Sequence, residues 1–202
     1  MDEELLFRVL LVVIYATFFG IRIRYRVESV TRDPEQRYKL KGKAPVLLMF
    51  AILGYVISVI MWVVALPWIS WFQIPLPFWI RWLGVTGAVC SLPIFLWIHR
   101  TLGRQYAAEL AIQQNHVLVT VGPYSRTRHP MYTMFNVFSV SIALMSSNTL
   151  LLFFALLVVV PFLWIARMEE RMLLDQFGDE YREYMERTGR FFPRLSRPKA
   201  RR

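Results

Sequence analysis

Cysteine is all but absent: Cys90 stands alone among 202 residues. That excludes a disulfide framework and any zinc site built from cysteines. Acids are scarce as well, 14 Asp and Glu against 24 Lys and Arg, leaving a formal net charge of +10. Charged residues make up only 19% of the chain while 56% is hydrophobic, whereas an ordinary soluble domain is about a quarter charged. The chain is therefore not intrinsically disordered, because disorder goes with low hydrophobicity. No internal repeat of useful length is present, which argues against a transporter built from repeats. The length allows one domain or two small ones. The open question is whether the positive excess serves nucleic acid or a membrane.

Charge is also missing by position. Residues 45–66, 82–98 and 132–166 carry none. A membrane-spanning helix needs about 20 mostly apolar residues, so the first two runs each fit one span, the second with residues 78–81 added at the interface. The third would extend roughly 50 Å as one helix, against a hydrocarbon core of about 30 Å. It is predicted to fold back at the polar break Ser146-Ser147-Asn148-Thr149. Residues 5–21 form a further apolar block, interrupted by Arg8 and preceded by Asp2, Glu3 and Glu4. That is the wrong sign for a signal peptide, so the block reads as a first span. The expected fold is all-α: a polytopic membrane protein with five transmembrane helices, the last two a tight hairpin, plus a cytoplasmic loop and a C-terminal helix. Residues 1–100 would hold the first three helices and a basic loop, and residues 101–202 the catalytic region.

Of the 24 basic residues, 22 fall in three segments, 22–43, 99–131 and the tail after Ala166. Five spans place all three on one face, which the positive-inside rule makes cytoplasmic. The N-terminus is then outside and the C-terminus cytoplasmic, in a plasma membrane if prokaryotic and the endoplasmic reticulum if eukaryotic. The loop 67–77 has no basic residue but carries Trp68, Trp71 and Phe72, as an interfacial aromatic belt does. Topology and anionic headgroups account for the positive charge, so nucleic acid is not an expected partner.

Two cytoplasmic segments carry residues suited to chemistry. In Arg128-His129-Pro130-Met131-Tyr132, Pro130 fits the first position of a helix, whose free N–H groups attract anions. The alternative is a plain Pro-capped helix start. In Arg167-Met168-Glu169-Glu170-Arg171, two carboxylates stand at the membrane edge of a basic face and could take a cationic group. The alternative is local pairing, since Glu170 lies three residues from Arg167. Phe177, Tyr181 and Tyr184 recur at helical spacing, an apolar stripe for the membrane or the other loop. His99 and His116 lack a suitably spaced third ligand, so no metal is expected.

Together these segments resemble the isoprenylcysteine carboxyl methyltransferase family. The resemblance rests on His116-Val117-Leu118-Val119-Thr120, Gly122-Pro123-Tyr124, Arg128-His129-Pro130-Met131-Tyr132, Glu169-Glu170, Phe177-Gly178-Asp179-Glu180-Tyr181 and Tyr184. It implies S-adenosylmethionine as methyl donor, bound at the cytoplasmic ends of the last two spans. It assigns the donor to His116, Val117, Leu118, Val119, Tyr124, His129, Pro130, Met131, Tyr132, Glu169 and Glu170, with Tyr124 or Tyr132 packing on the adenine. The acceptor it implies is a prenylcysteine-like amphiphile in the bilayer. The family pattern also places an Arg one helical turn before the glutamate pair, where this chain has Ile165. Arg167 is taken as the substrate-orienting cation, with Arg128 and Arg171 as alternatives. A phospholipid or other amphiphile as acceptor, an NADPH-dependent membrane reductase, and a non-enzymatic membrane protein are the competing readings.

Overall fold

The structure is a computed structural model that describes residues 3–30, 43–102 and 118–194. Among them run seven α-helices and no strand: α1 (Glu3–Val30), α2 (Lys43–Val63), α3 (Phe78–Leu102), α4 (Pro130–Met145), α5 (Thr149–Leu157), α6 (Val159–Phe177) and α7 (Asp179–Arg187). Four units are long and apolar enough to cross a membrane: Glu3–Tyr25, Lys43–Val63, Phe78–Leu102 and Thr149–Phe177. Their outward faces keep large apolar side chains exposed, among them Met49, Leu53, Ile60, Leu83 and Phe153.

The charge-free run 132–166 divides unequally, so the structure has four membrane-length units and one shorter apolar helix where five spans were expected. Helix α4 has 16 residues, about 24 Å at 1.5 Å per residue. The chain turns at Ser146–Asn148, as the polar break predicts. Asn148 makes the turn stable: its side-chain oxygen accepts from the N–H groups of Leu150 (3.1 Å) and Leu151 (3.2 Å), capping the next helix. Its amide donates to the Ile69 carbonyl at 3.1 Å, tying the aromatic loop Pro67–Phe72 to the turn. Helices α5 and α6 then run on, broken only at Val158. Pro161 explains the break, since it has no N–H for the Leu157 carbonyl one turn earlier.

One aromatic core joins α1, α3 and α4. Phe18 stacks on Phe138 with ring centroids 4.5 Å apart, and Phe95 meets Phe18 edge-on at 5.2 Å. At the end of the bundle where α1 and α3 start, Arg81 is buried. Its guanidinium donates to Glu4 at 2.7 Å and to the Met145 carbonyl at 3.0 Å, and lies 3.8 Å from the Phe7 ring centroid. It thereby clamps α1 and α4 to α3.

Helices α3 and α4 touch backbone to backbone at Gly84. A Cβ there would come within 2.5 Å of the Met145 nitrogen and the Ser141 carbonyl oxygen, neither of which can swing aside. Small residues allow such close approach in a membrane. Gly84→Val should therefore lower the melting temperature of the solubilised protein, with a destabilisation of about 1–3 kcal/mol from overpacking. Thermal unfolding in detergent checks this.

Candidate functional site

At the opposite end of the bundle, the start of α4 faces the middle of α6, and the chain after α7 returns to cover both. Residues 126–129 and 188–190 lie side by side. The Arg128 N–H donates to the Gly189 carbonyl, the His129 N–H to the Arg190 carbonyl (2.9 Å each), and the Gly189 N–H to the Arg126 carbonyl (3.1 Å). Gly178 makes the return possible: it separates α6 from α7 at φ +54°, ψ −120°, a conformation open essentially to glycine alone.

Pro130 occupies the first turn of α4, as its fixed φ favours, and His129 precedes it with no side-chain cap. The His129 ring turns instead toward the glutamate pair. Its Nδ1 lies 3.1 Å from Glu169 Oε2 and its Nε2 lies 3.4 Å from Glu170 Oε1. The Tyr132 hydroxyl donates to Glu169 Oε1 at 2.6 Å. The Tyr132 ring is stacked between His129 (5.5 Å) and Phe162 (4.5 Å). Its hydroxyl thereby orients Glu169.

The two glutamates have different surroundings. Glu170 is 4% exposed and receives Arg128 Nε at 2.8 Å, Arg190 Nε at 3.1 Å and Arg190 Nη2 at 2.5 Å. Arg128 is held in turn by the carbonyls of Thr188 (2.6 Å) and Met185 (3.1 Å). The local Glu170–Arg167 pair that spacing suggested is replaced by these long-range partners, and Arg167 is exposed. Glu169 is 21% exposed and has two donors for about four lone-pair positions. It has room for a further cation and Glu170 does not.

Burial opposes protonation of His129, but hydrogen bonding and attraction from Glu169 and Glu170 outweigh it and raise its pKa above 6.5. A raised folded-state pKa means the stabilisation is full below about 6.5 and fades as pH rises through the folded value. The melting temperature should therefore fall on the alkaline side, and His129→Asn should flatten that slope.

The other expected site residues are spread around this centre. Met131 packs against the main core. Tyr124 is half-buried, and its carbonyl accepts the Tyr184 hydroxyl at 2.7 Å. Burial pushes Tyr184 up to about 12, so it stays a neutral donor. Tyr181 and Tyr184 are buried, so the α7 stripe packs inward, with Tyr184 against the other loop. Leu118 and Val119 are half-buried beside the loop, and His116 and Val117 lie outside the described residues. Ile165 is buried and Arg171 exposed. Sequence reasoning missed Arg190, one basic residue among many in the tail.

Residues 79–180 match the sequence profile of the phospholipid methyltransferase family. The chain is 37% identical over 100 residues to a cobalt-zinc-cadmium resistance protein of Cupriavidus metallidurans, covering 48% of this chain and 45% of the relative. It is 35% identical over 82 residues to the protein-S-isoprenylcysteine O-methyltransferase of Saccharomyces cerevisiae, covering 38% of this chain and 33% of that one. The chain thus spans less than half the length of these curated relatives. In fold it is similar to a solved eukaryotic intramembrane Ras methyltransferase, with a TM-score of 0.55 at 20% identity over 89% of this chain and 66% of that one. With half of its length matched by the family profile, and that half running from α3 through the His129–Glu169–Glu170 centre, the chain belongs to the phospholipid methyltransferase family.

Proposed function

We propose that this chain is a membrane methyltransferase that uses S-adenosylmethionine and works at the cytoplasmic face on an amphiphilic acceptor, in the manner of isoprenylcysteine carboxyl methylation. The observation that carries this reading is the partly exposed Glu169, aimed by His129 and Tyr132 beside the start of α4, which has no side-chain cap. A carboxylate with spare acceptor positions suits the donor's ammonium. The free N–H groups at the start of α4 suit its carboxylate. Tyr124, half-buried in the loop before α4, would pack on the adenine. Bound there, the sulfonium would supply an activated methyl group. The residues would then act by fixing the donor, aligning it with the acceptor and keeping water out.

In this arrangement the three basic segments face the cytoplasm and α4 pairs with α5–α6 as the membrane hairpin. The exposed apolar flanks of α2 and α6 would present the acceptor laterally from the bilayer. Residues 101–202 would supply most of the site. Among the described residues no group of three or more His, Cys, Asp or Glu is arranged to hold a metal ion.

One observation favours an acceptor without a carboxylate. Ile165 is buried where the resemblance implies an Arg, and Arg128 and Arg190 are both committed to Glu170. A phospholipid amine needs no such cation. Arg167 remains the carboxylate-orienting alternative, although a two-residue offset on a helix points it elsewhere. Purified protein incubated with labelled S-adenosylmethionine and a panel of farnesylcysteine analogue, phosphatidylethanolamine and native lipid extract tests both readings. Label in the farnesylcysteine analogue supports the carboxylate acceptor, label in phosphatidylethanolamine supports the amine, and no label in any arm overturns methyl transfer.

A further inference from the structure

Arg190 reaches the site from the segment after α7. Its fork meets the Glu170 carboxylate at both oxygens, Nε to Oε1 and Nη2 to Oε2. The segment is fixed to the site by the backbone bonds to residues 126–129 and by the Thr133 hydroxyl, which donates to the Phe191 carbonyl at 2.8 Å. Arg128 supplies Glu170 with one bond, to Oε1. Arg190 is therefore the partner that holds Oε2 and fixes the rotation of the carboxylate.

That rotation matters because His129 stands between two carboxylates, 3.1 Å from Glu169 and 3.4 Å from Glu170. We propose that Arg190 is a positioning residue: by holding Glu170 with a two-pronged grip, it keeps that carboxylate from drawing His129 away from Glu169, and so keeps Glu169 aimed at its ligand. The grip needs a planar fork, which Lys lacks. The Arg190 side chain is 36% exposed, and its removal leaves the buried Glu170 carboxylate still paired with Arg128.

The test reads His129 itself. Its charged and titratable surroundings are Arg128 on its own loop, Tyr132 on α4, Glu169 and Glu170 on α6, Tyr181 and Tyr184 on α7, and Arg190 from the returning chain. The chain has three histidines, so histidine-selective NMR of the full solubilised protein, assigned with H129N, follows the His129 titration. R190Q frees Glu170 to attract the imidazolium, so the His129 midpoint should rise by roughly one pH unit. R190K keeps the charge but loses the fork, and should give an intermediate midpoint. R187Q, an exposed change outside the site, should leave it unmoved. A midpoint in folded R190Q that stays put or falls overturns the proposal. If R190Q does not fold, R190K decides, and a wild-type midpoint there overturns it.

A second arm rests on the methyl-transfer reading. The KM for S-adenosylmethionine should rise roughly tenfold in R190Q, while kcat at saturating donor changes much less. An unchanged KM contradicts the proposal. Failure of the wild-type protein to use the donor sinks the methyl-transfer reading and leaves the NMR result to judge Arg190 alone.

Discussion

Glu170→Ala should destabilise the folded protein by about 3–5 kcal/mol, the range found when one partner of a buried ion pair is removed. Glu170 is 4% exposed and Arg128 9%. Without the carboxylate, the Arg128 guanidinium stays buried against neutral acceptors, the Thr188 and Met185 carbonyls and the Thr188 hydroxyl. Arg190 can turn to solvent, which places the expected loss toward the lower end. The segment after α7 should loosen at the same time, since Arg190 is one of its anchors. Thermal unfolding in detergent and limited proteolysis after residue 187 measure the two effects. A loss below about 1 kcal/mol, typical of exposed pairs, would contradict the structural role given to Glu170.

The neighbouring glutamate should behave in the opposite way. Glu169→Gln keeps the shape and the Tyr132 bond while removing a charge that is partly exposed, so at alkaline pH, where His129 is neutral, stability should change little. Donor affinity should fall roughly tenfold to hundredfold, the equivalent of one charge-assisted hydrogen bond. Direct binding of S-adenosylmethionine measures it. Two adjacent glutamates with separable effects, one on stability and one on binding, are expected from the asymmetry of their partners. A Glu169→Gln protein that binds as the wild type does would remove Glu169 from the site.

Much of this arrangement was legible in the residues. The charge-free runs located the membrane-length helices, because helix burial in lipid excludes charge over about 20 residues. Pro130 marked a helix start and the polar break 146–149 marked the turn through local chemistry alone. The short α4 follows from the polar break at 146–149, which leaves only 16 residues after the Pro130 start. What escaped was set by distance. The partners of Glu170 were misjudged because helical spacing offers Arg167, whereas the fold delivers Arg128 from 42 residues away and Arg190 from 20. Arg190 carries no local signal, and only the backbone pairing of 126–129 with 188–190 singles it out. Nor do the partners of Arg81 show locally, Glu4 and Met145 being 77 and 64 residues distant.

The most direct measurement is a binding titration of the purified, solubilised chain with S-adenosylmethionine, run beside NADPH and repeated with Glu169→Gln. Saturable binding of S-adenosylmethionine, weakened in the variant and not displaced by NADPH, is the expected result. Binding of NADPH with none of S-adenosylmethionine would contradict the methyltransferase reading at its root.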